Sequence, residues 1–318
     1  MYSNSSATLY RSEPLSHRPA GIWWGLIGVA AFSFTVPFTK VAVEGMSPLF
    51  IGSGRAILAA LLAALALGIM RQRLPRGTQW ARLAVIAGGV VVGFPVLTSY
   101  ALTAVPASHA AVVIALLPAA TAIAAVLRGH ERPPLLFWVM SGIGATVTVA
   151  FAAFTSGGLG SFSWPDVLLL AAVAAGAIGY AEGGLLAREL GSWQVISWAL
   201  VVAAPLMALL TAVALVQQPP AASPVQWAAF AYLGIISMFL GFFAWYRGLA
   251  IGPMTRVSQI QLVQPVLTIA WAALLLGEHL TWPTVVGGLA VVLCAGVAVR
   301  TRAATREKSR PRTESPSS

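Results

Sequence analysis

Long apolar runs recur along this chain at nearly regular intervals, and they constrain its fold more than any other feature. Each run holds about 20 residues, the length that an α-helix needs to cross about 30 Å of hydrocarbon. Short polar or turn-forming segments separate the runs. The sequence therefore predicts an all-α integral membrane protein with ten spans, at residues 21–40, 47–69, 80–103, 106–128, 134–153, 165–187, 192–216, 224–250, 253–276 and 281–299.

The composition fits a surface that faces lipid. Charged residues make up 9% of the 318 positions and hydrophobic residues 58%, whereas an average soluble domain is about 25% charged. A water-soluble fold with so few ionic groups would have too few to cover its surface. The single cysteine, Cys294, cannot form an internal disulfide, and we expect it to pack inside a span.

The basic residues fall on one side of the predicted membrane. With the N-terminus inside, 17 of the 19 Lys and Arg residues lie in inner segments, at the adjoining span ends or in the tail. Only Lys40 lies near the outer side, and Arg55 lies within a span. The positive-inside rule therefore predicts that both termini are cytoplasmic. The net charge of +10 then reflects orientation and contact with anionic lipid rather than binding of nucleic acid.

An internal repeat is visible in the sequence. Tyr100 is followed by Pro118 and, 13 residues later, by Glu131. Tyr246 is followed in the same way by Pro265 and, again 13 residues later, by Glu278. Each half contains five predicted spans, so the second half begins on the opposite side of the membrane from the first. Such inverted repeats are a common basis for alternating access in transporters.

A set of short motifs accompanies this repeat. The first half opens with Trp24-Gly25, the stretch FSFTVPFTK at 32–40, Ser47-Pro48 and Arg55, and a Pro-x12-Glu stretch stands at the end of the fourth and of the ninth predicted span. In this order, and twice over, the motifs resemble EamA-type units of the drug/metabolite transporter superfamily. Gly277-Glu278 matches more closely than Gly129-His130-Glu131, where one residue is inserted. The resemblance extends from about residue 21 to residue 299.

The resemblance implies two five-helix units, at 21–153 and 165–299, that enclose a central cavity. A cytoplasmic segment at 1–20, a periplasmic linker at 154–164 and a basic, disordered cytoplasmic tail at 300–318 would complete the chain. The resemblance also implies a multi-pass protein of the bacterial inner (cytoplasmic) membrane that exports amino acids or related small metabolites. Export of drugs or other toxic compounds is the alternative within the same fold.

Two basic residues are candidates for contact with a substrate or its pathway. Arg55 lies about eight residues into its span, roughly 12 Å from the outer end, where a charge costs about 2.5–3.5 kcal/mol. It either binds a substrate carboxylate through its guanidinium fork or fixes helix packing, and in both cases we expect it not to face lipid. Lys40 closes the first span, where it either lines the exit or extends to the membrane surface.

Polar residues and prolines in the later spans supply further candidates. Gln261, Gln264 and Thr268 are spaced i, i+3, i+7, so they share one helix face. This face either lines a substrate cavity or bonds to other helices, because amides are unfavourable in hydrocarbon. The equivalent Pro118 and Pro265 either allow the hairpins to flex during gating or act as static kinks.

Aromatic and titratable residues complete the candidate set. Tyr100 and Tyr246 either form walls around a substrate or serve in packing. His109 is a candidate for titration, although a lone histidine near a span end is more often a packing residue. The carboxylates all fall near span ends or in loops, which argues against a cation-drug antiporter that depends on an acid at mid-membrane.

A membrane enzyme is the competing functional class. Such enzymes usually cluster His, Asp, Glu or Cys at one membrane face, and here the four histidines are scattered over both. No metal-ligand spacing and no phosphate-binding loop is present, so we expect neither a metal, nor a cofactor, nor ATP hydrolysis. The sequence predicts an ATP-independent carrier of a small-molecule substrate in a lipid bilayer, and leaves its oligomeric state open.

Overall fold

The computed structural model describes residues 19–129, 134–155, 163–251 and 260–308. Within these ranges every regular element is helical, which confirms the all-α prediction. The first half contains α1 (Pro19–Ser33), α2 (Thr35–Ala42), α3 (Pro48–Ile69), α4 (Gln79–Ile86), α5 (Phe94–Ala101), α6 (Ala107–Ile114), α7 (Leu117–Gly129) and α8 (Leu135–Thr155). The second half contains α9 (Trp164–Leu190), α10 (Ser192–Gln217), α11 (Pro224–Tyr232), α12 (Phe242–Ile251), α13 (Gln264–Leu276) and α14 (Trp282–Lys308).

Seven of the helical stretches in the described ranges are long and apolar enough to cross a membrane. They are Ala20–Ala42, Pro48–Ile69, Gln79–Ala101, Ala107–Arg128, Trp164–Leu190, Ser192–Gln217 and Pro224–Gly248. Leu135–Phe151, Gln261–Leu276 and Trp282–Ala298 are shorter apolar helices. They coincide with the fifth, ninth and tenth predicted spans, so the chain is a helical membrane protein and the count of exactly ten spans stays a prediction.

Helix ends follow local sequence signals. Ser47 accepts a hydrogen bond from the backbone N–H of Phe50 (3.2 Å), and Pro48 begins α3. Ser223 and Gln226 form a capping box at the start of α11. At its C-terminal end, α13 is followed by Gly277, whose φ of 65° lies in the left-handed region that suits glycine.

Two π-helical stretches interrupt the bundle. They are Ala87–Gly93, between α4 and α5, and Leu233–Gly241, between α11 and α12. Each begins 13 residues before the tyrosine that marks the repeat, Tyr100 in the first half and Tyr246 in the second. A π-helical segment is uncommon and is frequently found at functional sites.

The last helix differs from the prediction for the tail. The sequence predicts a disordered segment from residue 300, whereas α14 continues to Lys308. This stretch contains alanine, arginine, glutamate and lysine, which all have high helix propensity, and no proline before residue 311. The predicted cytoplasmic segment before residue 19, most of the linker and the tail beyond residue 308 lie outside the described residues.

Close contact between the halves depends on glycine. A Cβ atom added at Gly89 would lie 2.4 Å from the carbonyl oxygen of Ala175 in α9, whereas one added at the neighbouring Gly88 would meet nothing within 4 Å. Gly89 therefore allows the two helices to pack closely, with backbone against backbone.

We predict opposite effects of alanine at these neighbouring glycines. Gly89→Ala should lower the free energy of unfolding by about 1–3 kcal/mol, because the methyl group forces the two backbones apart. Gly88→Ala should leave it unchanged or raise it slightly, because alanine favours the helix and meets no neighbour. Thermal unfolding in detergent micelles tests both variants, and equal stability of the two would contradict the packing described here.

Candidate functional site

A small cavity lies where the fourth and ninth predicted spans meet near the centre of the bundle. Its volume is about 10 Å³, which is room for about one water molecule. Its apolar walls come from Val36, Ala111, Ile114 and Leu117. Pro118, Pro265, Gln261, Gln264 and Thr268 complete the lining. Five candidates from the sequence are thus brought together here, in a space too small for a metabolite without separation of the helices.

The helices on both sides of the cavity are interrupted at this point. In the first half, α6 ends at Ile114 and α7 begins at Leu117, with Pro118 as its second residue. In the second half, a short 3-10 turn at Gln261–Val263 leads into α13, with Pro265 as its second residue. Proline cannot donate the hydrogen bond that a continuous α-helix needs, which explains both interruptions.

Gln261, Gln264 and Thr268 share one face of the ninth predicted span, as their spacing predicts. Gln261 is 4% exposed, and its Nε2 has no hydrogen-bond partner among the residues that the structure describes. The Oε1 atom of Gln264 is also buried without a partner. A buried polar group without a partner costs about 1–3 kcal/mol, so the two amides are unfavourable in this packing. The unpaired nitrogen of Gln261 and the unpaired oxygen of Gln264 are therefore available for hydrogen bonds to a molecule in the cavity.

Thr268 ties α13 to the first half. Its hydroxyl donates to the carbonyl oxygen of Ser33 over 2.9 Å. Ser33 lies four residues before Pro37, so its carbonyl loses its usual helical donor, and the chain breaks between α1 and α2 at this point. The indole of Trp271 donates to the Ser33 hydroxyl (3.0 Å) and stacks on Phe34 with ring centroids 4.6 Å apart.

Arg55 is buried in protein, as expected, but does not line the cavity. It is 1% exposed, and within the described ranges its Nε has no hydrogen-bond partner. Arg55 shares a face of α3 with Gly52, which packs directly against Val96 of α5. An arginine placed in this way carries a charge without a visible counter-ion among the described residues, which is costly in a membrane protein.

The two tyrosine candidates occupy different environments. Tyr246 is fully buried, and its ring packs against Gly183 of α9. Its hydroxyl has no hydrogen-bond partner in the part of the chain that the structure describes. Tyr100 is 41% exposed near the end of α5. Neither residue lines the cavity in this packing, so the structure does not bring them to the glutamines.

Two candidates, Lys40 and His109, lie with Glu278 at one end of the bundle, here called the Lys40 end. The Lys40 ammonium donates to the carbonyl oxygens of Leu102 (2.9 Å) and Val105 (3.1 Å) at the end of the third predicted span. His109 Nε2 lies 2.7 Å from the Asp166 carboxylate, which joins α6 to α9. The Glu278 carboxylate accepts from the backbone N–H groups of Ala107 (2.7 Å) and Ser108 at the start of α6.

An ion-pair network closes the opposite end, here called the Glu182 end. Glu182 is 2% exposed and binds Arg82 of α4 through one oxygen. Its other oxygen accepts from Arg128 of α7, with Nη2 at 2.6 Å and Nε at 2.9 Å. Arg82 also binds Glu189, which is 49% exposed. The network therefore joins two helices of the first half to one helix of the second.

The sequence predicts that these carboxylates lie near span ends, but we did not predict from it that they are buried and paired. Asp166 and Glu182 are both inaccessible, and the 16 residues between them put them about 24 Å apart along α9. The free-energy cost of a carboxylate inside the membrane is the signal that could have revealed this pairing. A carboxylate several residues inside a span is unfavourable without a partner, and arginines lay at the corresponding depth in the third and fourth spans.

Comparison with known proteins identifies the family. The profile of the EamA-like transporter family matches residues 19–155 and 163–300, which together include nearly all of the described chain. The chain belongs to this EamA-like transporter family. Because the family consists of transporters, the described bundle is that of a membrane transporter.

The relatives of this EamA-like transporter agree with the assignment. An uncharacterized transporter of Bacillus subtilis, YdeK, is 43% identical over 276 residues, 87% of this chain and 96% of the relative. A probable terminal-alkyne amino-acid exporter of Streptantibioticus cattleyicolor is 26% identical over 298 residues, 91% of this chain and 97% of the relative. A solved crystal structure shares the fold with a TM-score of 0.62 at 20% identity, covering 92% of this chain and all of that one.

Proposed function

We propose that this EamA-like transporter is a secondary, ATP-independent carrier that exports an amino acid or a related small metabolite by alternating access. One observation carries the proposal. The Nε2 atom of Gln261 and the Oε1 atom of Gln264 are buried without a hydrogen-bond partner among the described residues, at a cavity that lies between interrupted helices of both halves. Interrupted helices of this kind form the substrate sites of many secondary transporters.

The distribution of contacts between the halves supports alternating access. At the Glu182 end, ion pairs from Glu182 join α9 to the first half. At the Lys40 end, Glu278 and the His109–Asp166 pair join the halves again. The cavity lies between the two sets, so substrate can enter or leave only when one set separates. Releasing the sets in turn would expose the cavity to one side at a time.

The two π-helical stretches and the two interrupted spans support the ten-span, inverted-repeat arrangement. Ala87–Gly93 and Leu233–Gly241 stand at equivalent distances from Tyr100 and Tyr246, and Pro118 and Pro265 interrupt corresponding helices. In this arrangement, and with the basic residues on the inner side, the Glu182 end faces the cytoplasm. The Lys40 end then faces outward, and both termini are cytoplasmic.

An amino-acid substrate is supported by two further points. One relative carries the name of a probable amino-acid exporter. In addition, Arg55 is a fully buried cation whose Nε lacks a partner, which suits a residue that meets a carboxylate once the halves separate. We therefore propose Gln261, Gln264 and Thr268 as substrate contacts in the cavity, and Pro118 and Pro265 as gating hinges. Arg55 would meet the substrate carboxylate outside the cavity, on the path that opens when the halves separate.

Counterflow in proteoliposomes tests this function. Vesicles loaded with one unlabelled amino acid and offered trace label outside should accumulate label without ATP, for a small number of amino acids only. Arg55→Ala should reduce this exchange strongly while the protein stays folded, because the carboxylate loses its cation. Exchange of drugs or dyes with no amino-acid exchange would instead favour the drug-exporter alternative and contradict the proposal.

A further inference from the structure

The charges of the residues that line the cavity bear on which amino acids can bind in it. The described residues that line it include no Asp, Glu, Lys, Arg or His. The polar groups are the two glutamine amides and the Thr268 hydroxyl, and the remaining walls are aliphatic or proline. A net charge held among such groups, away from water, would lack a counter-ion, and burying an uncompensated charge is strongly unfavourable.

The amides offer hydrogen bonds of both kinds. Each carries an NH₂ donor and a carbonyl acceptor, and the unpaired atoms are a nitrogen of Gln261 and an oxygen of Gln264. Residues three apart on a helix lie about 5–6 Å apart at their Cβ atoms, so both amides can reach one small molecule. The pair therefore suits a solute with an acceptor group and a donor group close together.

We propose that the Gln261–Gln264 amide pair selects net-neutral zwitterionic amino acids with a short aliphatic side chain. This inference rests on the proposed function and narrows it. The substrate carboxylate accepts from an NH₂ group of the pair and the ammonium donates to a carbonyl. The aliphatic side chain lies against Val36, Ala111 and Ile114. Cationic and anionic analogues keep one charge without its internal partner and are rejected.

Three matched solutes test the selectivity on the wild-type protein. Valine is a zwitterion, valinamide lacks the carboxylate and is cationic, and isovalerate lacks the ammonium and is anionic. With labelled valine in counterflow, unlabelled valine should compete at least about tenfold better than either analogue, since each analogue leaves a buried polar group unpaired. Equal competition by valinamide or isovalerate would overturn the inference.

A charge-adding variant gives a second test. Gln264→Glu should improve competition by valinamide relative to valine by at least about tenfold, because the new carboxylate supplies the counter-charge for the ammonium. Gln218→Glu, the same change at an exposed position after α10, should leave the ratio unchanged. An unchanged ratio in a folded Gln264→Glu protein would contradict the role of the amide pair, and if that variant does not fold, the wild-type series decides.

The two proposals fail in different ways. Absence of counterflow with every amino acid would remove the proposed function and the inference with it. Counterflow with lysine or glutamate but with no neutral amino acid would keep the carrier and overturn the selectivity alone.

Discussion

Replacing Glu182 with glutamine is expected to lower the free energy of unfolding by about 2–3 kcal/mol, because it removes the negative charge shared by two arginines and places an NH₂ donor against one of them. Arg82 and Arg128 then lose their common counter-charge where two helices of the first half meet α9. The effect falls short of that of a fully buried pair, because Arg128 is 58% exposed and keeps its contact with water. Thermal unfolding of the purified protein in detergent measures the change.

Glu189 provides a matched control within the same network. Among the described residues its ion pair is with Arg82, and it is 49% exposed, so Glu189→Gln should change the free energy of unfolding by less than about 1 kcal/mol. Similar losses for the two variants, or no loss for Glu182→Gln, would contradict the view that Glu182 joins the halves. Because the network closes one end of the bundle, the Glu182 variant should also open that end more readily.

Gln261→Leu is expected to have opposite effects on stability and transport. The substitution replaces a buried amide whose nitrogen has no partner by an apolar side chain of similar size. It should raise the free energy of unfolding by about 1–3 kcal/mol, the cost of the unpaired group. The same change should reduce counterflow at least about tenfold, because the substrate loses a hydrogen bond in a water-poor site.

Gln218→Leu is the control for this prediction, since it makes the same chemical change at an exposed residue. Neither stability nor transport should change there. A fall in both properties of Gln261→Leu would show that the amide serves packing in an alternative arrangement. Normal transport by a stabilised Gln261→Leu protein would remove the amide from the substrate site.

The features that follow local periodicity could be predicted from the sequence. The helical spans, the shared face of Gln261, Gln264 and Thr268, and the burial of Arg55 all depend on spacing or on the cost of polar groups in lipid. These signals are contained within one helix. The break at Phe34 also has a local cause, because Pro37 removes the donor for the Ser33 carbonyl.

The contacts between distant segments could not be predicted in the same way. Arg128 and Glu182 are separated by 54 residues and Glu278 and Ala107 by 171. Their pairing depends on how the two halves dock, which no single-helix pattern contains. In the sequence, Arg82 and Arg128 served only as evidence for the orientation in the membrane. In the structure they also form ion pairs that join the two halves. The size of the cavity likewise depends on packing between helices.

The central claim is that the substrate binds in the cavity between α6, α7 and α13, and substrate protection tests it most directly. The chain has one cysteine, so Cys294→Ser gives a background in which Ala111→Cys places a single thiol in the cavity wall. Alkylation by a membrane-permeant maleimide should slow several-fold when an amino acid that exchanges in counterflow is added. A thiol at the exposed position 218 should react at the same rate with and without it. Unchanged labelling at position 111 under saturating substrate would contradict the account.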